Sequence, residues 1–181
     1  MERRTVLAGI GAAAAAHAVL TNVAFAQDAT PAPAPKNAKD FSEGVIGPAE
    51  LSLATSKIAV DKATNANAKE FAGFELTEAI AVTTVLKDLG TAEPPMDAKA
   101  KATLDKITNA AAGPDFDKAY ISAQLDNHKF LRDLAEAYLK NPAPAADDLP
   151  EREGRHLATL SLAVFKEHVA ITTRILAELG G

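Results

Sequence analysis

Cysteine is absent from this 181-residue chain, which excludes a disulfide framework, a thiolate metal site, a cysteine nucleophile and a lipid-modified N-terminal cysteine. Tryptophan is absent too, and aromatics make up only 5%, whereas alanine is abundant; that balance favours helices over strands. The formal charge is small, −5, with no basic cluster to neutralise a run of phosphates, so a nucleic-acid partner is not expected. Nor is it large enough to imply a polycationic one. No Ser-His-Asp order, metalloprotease motif or glycine-rich phosphate loop occurs, and the single Gly-x-Gly, Gly9-Ile10-Gly11, lies in the leader described next. No stretch alternates with period two for long enough to make a strand, which argues against an outer-membrane barrel.

What remains is the composition of one soluble domain, 48% hydrophobic and 24% charged. Residues 1–26 read as a cleavable export signal: Arg3 and Arg4 start it, Val6 to Leu20 form a mildly apolar stretch, and Ala24-Phe25-Ala26 is a small-x-small cleavage site. The paired arginines ahead of an Ala- and Gly-rich core point to the twin-arginine type, with a general secretory signal as the alternative. His17 and Asn22 interrupt the stretch, so it is a poor membrane anchor, and the mature chain is expected to be periplasmic or secreted without inserting in a membrane. Residues 27–40 follow as a linker, because Thr30-Pro31-Ala32-Pro33-Ala34-Pro35 cannot be helical.

Residues 41–181 form a four-helix bundle in this reading, an all-α fold with a short extra helix. Gly47-Pro48 opens the first, shorter helix, whose weak apolar face is Leu51, Ala54, Thr55 and Ile58. Ala72, Glu75, Ala79, Val82, Leu86 and Leu89 recur at alternating spacings of four and three, the seam of a second helix. A short helix near 97–109 has Asp97 as its cap. A third long helix between Phe116 and Tyr138 turns Ile121, Leu125, His128, Leu131 and Leu134 to one side. The last carries a seam of Leu157, Ser161, Val164, His168, Ile171 and Ile175, widened by Leu160, Phe165, Thr172 and Leu179.

Asp115-Phe116-Asp117-Lys118-Ala119-Tyr120-Ile121 followed by Asp126-Asn127-His128-Lys129, Lys166-Glu167-His168 in the last helix, and Ile58-Ala59-Val60-Asp61-Lys62-Ala63 with Lys69-Glu70-Phe71-Ala72 together resemble the bacterial family named domain of unknown function 4142. The resemblance spans about Leu51 to Leu179 and implies an exported, ferritin-like four-helix bundle, of a kind described as predicted outer-membrane proteins. The chain departs from that pattern at two points: Ala79 stands after Glu78 where a histidine is usual, and Ala54 occupies an acidic position, with Glu50 a turn earlier.

A ferritin-like di-metal centre needs a Glu-x-x-His pair from each of two helices, because residues three apart share a helix face. This chain has none; Glu75-x-x-Glu78 has the spacing without the imidazole, and Glu167 and His168 are adjacent and point apart. A reduced cluster survives. Glu75, His128 and His168 lie on three core faces, and if they meet at one level they would suit a single divalent transition-metal ion: Zn, Fe, Mn or Cu. The competing reading is a buried hydrogen-bonded network, with Glu75 or Gln124 as the histidines' partner. A haem between the two histidines would need a wide apolar pocket that nothing signals. His156 is expected to be exposed, and Tyr120 and Tyr138 to be packing residues.

The function that follows is a non-catalytic binding protein of the envelope, in stress or metal homeostasis, with an envelope protein as the other kind of partner. A structural interaction module displayed on the Pro-Ala spacer is the alternative. The missing Glu-x-x-His pairs weigh against a third, a divergent metal-dependent redox enzyme.

Overall fold

The computed structural model describes residues 34–180, so the expected signal and the start of the linker lie outside the described residues. Five helices follow one another: α1 Ala38–Lys62, α2 Ala66–Asp88, α3 Ala98–Asn109, α4 Pro114–Leu139 and α5 Leu149–Glu178. Four are long and one is short, and no strand occurs among the described residues. None of these helices is long and apolar enough to cross a membrane.

Each start is written in the sequence. Asn37, Asn65, Asp97 and Asp148 accept hydrogen bonds from backbone N–H groups of the first turns of α1, α2, α3 and α5. At α4 the cap is Gly113, at φ 136°, a backbone conformation that disfavours any side chain, followed by Pro114 at a position where its missing N–H costs nothing. Asp117 bridges two elements: its carboxylate accepts from the Thr64 N–H, the Thr64 hydroxyl and the Asn65 N–H at 2.9, 2.6 and 2.8 Å, pinning the α1–α2 turn to α4.

The first helix corrects the sequence reading. It is 25 residues long, begins at Ala38 and runs straight through Gly47-Pro48, so the Gly-Pro pair does not open it. Pro48 forfeits one backbone hydrogen bond, but Phe41, Val45, Ile46 and Ala49 bury themselves on either side of it and hold the helix. The buried face is also rotated from the expected one. Leu51, Ala54 and Ile58 are only partly covered, and the stripe is completed by Ser52, Thr55, Ser56 and Ala59. On α5 the buried residues are Ala158, Phe165, His168, Thr172 and Ile175, while Leu160 is 69% exposed where it was expected to widen the seam.

α1 packs closely on α2 and α4 on α5, and α1 against α4 joins the two pairs; α2 packs its backbone mainly on α1. The apolar core falls into two clusters. One gathers Phe41, Val45, Ile46, Leu86, Leu131, Leu134, Tyr138, Ala158 and Phe165. The other gathers Ala59, Phe71, Ala72, Ile107, Phe116, Tyr120, Ile121 and Ile175. Separate from both, a set of buried polar side chains is contributed by α1, α2, α4 and α5: Ser52, Thr55, Ser56, Glu75, Gln124, His128, His168 and Thr172. Gly154 marks a close approach at the start of α5. A Cβ there would overlap the Ala38 Cβ.

Candidate metal centre

Glu75, His128 and His168 come from α2, α4 and α5, and each is at most 5% exposed. The structure brings all three together. Glu75 Oε2 lies 2.9 Å from His168 Nδ1 and 3.2 Å from His128 Nε2, and the two nitrogens are 3.0 Å apart. Phe71 meets both imidazoles edge-on, with centroids 6.3 Å from His128 and 5.1 Å from His168, and Phe165 covers His128 from the other side at 6.1 Å. The triangle is therefore walled by aromatic rings from both apolar clusters.

Neighbouring groups set which nitrogens carry hydrogen. His128 Nδ1 is 2.8 Å from the Gln124 carbonyl oxygen, which can only accept, so Nδ1 is the protonated nitrogen and Nε2 presents its lone pair to the triangle. His168 Nδ1 donates to that lone pair. His168 Nε2 faces Glu78 Oε2 at 3.0 Å, so His168 stands between two carboxylates. Burial opposes its charge, but Glu75 and Glu78 outweigh burial and raise its pKa from 6.5 to about 9. For Glu75, burial opposes ionisation, and the two imidazoles more than reverse this, holding its carboxyl well below the usual range. Glu75 Oε2 is thus paired with the charged His168 at 2.9 Å.

α4 is registered against α1 by a ladder of small polar groups. Ser52 Oγ donates to Gln124 Oε1 at 3.0 Å, Gln124 Nε2 donates to Thr55 Oγ1 at 2.9 Å, and Asn127 Nδ2 donates to Ser52 Oγ at 2.9 Å and to the Pro48 carbonyl at 3.0 Å. One turn away, Ser56 Oγ and Tyr120 OH are 2.8 Å apart. These contacts fix the height of Gln124 and therefore of His128, one turn further along. The spacing of Ser52, Thr55 and Ser56 at i, i+3 and i+4 was the available signal for this ladder, of which only Thr55 stood on the expected face. Glu78 was noted for its spacing from Glu75, but its place beyond the far nitrogen of His168 was not foreseen.

The remaining sequence candidates stand elsewhere. His156 is exposed, 3.6 Å from Glu153. Tyr138 is buried, stacks on Phe41 with centroids 5.2 Å apart, and donates to Glu151 at 2.6 Å; Glu151 also accepts from the Ala38 N–H at 2.7 Å.

Three donors at these distances match what a metal ion asks of its ligands. Donors about 2.1 Å from an ion are ~3.0 Å apart on one face of an octahedron and ~3.4 Å apart in a tetrahedron. The observed edges of 2.9, 3.0 and 3.2 Å lie closest to the octahedral face. A dinuclear carboxylate site is not assembled at this triangle, since Glu75 alone brings a carboxylate into it and Glu78 sits beyond the outer nitrogen of His168.

Among the curated proteins and the solved structures, no match to this chain is found. A family match covers residues 22–170, including all of α2, α3 and α4 and with them Glu75 and both core histidines. The chain belongs to the family described as Domain of unknown function (DUF4142).

Proposed function

We propose that this protein is an exported helical bundle that holds one divalent transition-metal ion through Glu75 Oε2, His128 Nε2 and His168 Nδ1. One observation carries the reading: three buried donor atoms from three helices, a carboxylate oxygen and two imidazole nitrogens, converge within 3.2 Å of one another. A buried, ionised carboxylate is costly unless a cation, a proton-bearing imidazole or a metal ion, meets it. The Gln124 carbonyl and the Glu78 carboxylate face the outer nitrogens, the arrangement that orients metal-ligating imidazoles. Two imidazoles and one carboxylate suit Fe, Mn and Zn and leave further positions on the ion open, where it would act as a Lewis acid or polarise a bound water. Binding costs His168 its Nδ1 proton, so proton and ion compete for one place.

The second reading is favoured by the Nδ1–H contact from His168 to His128. In it the proton is the permanent occupant, and the cluster is a buried charged pin joining α2, α4 and α5. Equilibrium dialysis of the chelator-treated full chain against Fe(II), Mn(II), Zn(II) and Cu(II) separates the two. The metal reading expects one equivalent bound, lost in Glu75→Ala, His128→Ala and His168→Ala, with affinity reduced about 10–100-fold in Glu78→Gln. No binding of any of the four ions by the folded chain would leave the charged pin.

A further inference from the structure

Beside the triangle lies a cavity of about 230 Å³, lined mainly by Val45, Ala49, Val82, Leu131, Val164 and Phe165. It exists because α2 keeps its backbone away from α4 and α5 and places small side chains, Ala79 and Ala81, on this side. Its polar end is formed by Ser52, Glu75, Glu78 and His128, and exposed Leu160 and Ala81 stand at its mouth. One wall is thus the candidate metal centre and the rest, Ser161 apart, is apolar.

We infer that this cavity is the binding site of a small, neutral, mostly apolar molecule with a single oxygen donor, of the phenol or short-alcohol class, whose oxygen is directed at the open side of the metal centre. The inference rests on the metal reading for its polar end and on the cavity alone for its apolar end. Size sets the body. An apolar cavity of ~150 Å³ accepts benzene, so 230 Å³ takes a six-membered ring with a substituent. Charge sets the head. A divalent ion against Glu75 and Glu78 is formally balanced, so an anionic or cationic head would be left uncompensated among valines, a leucine and a phenylalanine. A hydroxyl brings one donor to an open position or to Ser52 and adds no charge.

Alanine at position 79 is the residue whose size matters most. It lies one turn from Glu75, is 4% exposed, and lines the cavity next to the carboxylate. Ala79→Leu should fill the polar end of the cavity without touching a donor atom, and Val82→Phe should fill its outer part.

The test uses the full chain loaded with Co(II), whose visible absorption reports coordination, titrated with phenol while valine and leucine methyl signals are followed by NMR. A saturable change in both is expected, with a Kd of ~0.1–1 mM for so small a ligand. Benzoate and benzylamine should bind at least ~10-fold more weakly, and Ala79→Leu should weaken phenol at least ~10-fold with Co(II) loading unchanged. Co(II) loading with neither spectrum moved by phenol overturns the inference and leaves the metal reading standing. If Co(II) fails to load, the metal reading falls, and phenol titration of the metal-free chain still decides the cavity. Shifts of the Val45 and Val164 methyls that vanish in Val82→Phe keep it as a neutral-ligand site, and their absence overturns it. Benzoate binding as tightly as phenol overturns the assignment of a neutral head.

Discussion

Glu75→Gln keeps the shape of the side chain and removes its charge, so it isolates the electrostatics of the cluster. In the metal-free protein His168 is charged and faces two carboxylates, Glu75 at 2.9 Å and Glu78 at 3.0 Å. A pKa raised from 6.5 to about 9 corresponds to ~3 kcal/mol of stability below pH 6.5, most of which remains at pH 7. The sign follows from the direction of the shift. The folded state binds this proton more tightly than the unfolded chain, so the contribution is complete below pH 6.5 and is lost as pH rises through about 9. Glu75 supplies roughly half of the attraction, so Glu75→Gln should cost ~1–2 kcal/mol at pH 6.5–7. Near pH 10 the cost should vanish or change sign, because a buried carboxylate without a cation is itself unfavourable. Urea unfolding with chelator present, followed by far-ultraviolet circular dichroism, reads this as a midpoint lowered by ~0.5–1 M at pH 7 and by much less at pH 10. In a His168→Gln background the cost of Glu75→Gln should no longer vary with pH. A cost that stays constant from pH 6.5 to 10, or grows, would refute the reasoning.

Metal binding carries a second pH signature. Displacing the His168 Nδ1 proton should strengthen apparent affinity ~10-fold per pH unit between pH 6.5 and 8.5, with about one proton released per ion. Calorimetry in two buffers of different ionisation enthalpy measures that number, and a value of zero would remove His168 from the ligand set. Asp117→Ala frees the Thr64 N–H, the Thr64 hydroxyl and the Asn65 N–H, and should cost ~3 kcal/mol or more in urea unfolding while leaving metal stoichiometry unchanged. A loss below 1 kcal/mol would show that water replaces those bonds. Gly154→Val places a side chain where a Cβ already overlaps Ala38 and should lower stability by ~1–3 kcal/mol; an unchanged melting temperature would mean that the two helix starts part freely.

The helical character was legible because long segments repeat with period 3.6 and each boundary carries a capping Asn, Asp or Gly. Asp97 at the start of α3 falls where those signals placed it. Pro48 misled for a physical reason. The penalty of an internal proline is local, whereas the apolar side chains that outweigh it, from Phe41 to Ala49, are repaid only by tertiary packing. Ser52 and Ser56 were missed for a separate reason: small polar residues read as a solvent face until a partner such as Gln124 is seen opposite them. Glu75, His128 and His168 could be named because a charged or imidazole group on an apolar seam is conspicuous. Their common height could not, because it depends on how α2, α4 and α5 are offset, and a periodic pattern is blind to that. The cavity was equally invisible, as it reflects the separation of α2 from α5 rather than any one residue.

The central claim is that the triangle of Glu75, His128 and His168 takes a cation. The most direct measurement is the metal-to-protein ratio, by elemental mass spectrometry, of untagged full-length chain purified without chelator. One ion per chain is expected, falling to none in His128→Ala and His168→Ala variants that remain helical. A ratio near zero in the unaltered protein, even after incubation with Fe, Mn, Zn and Cu, or a ratio that both variants leave untouched, would contradict it.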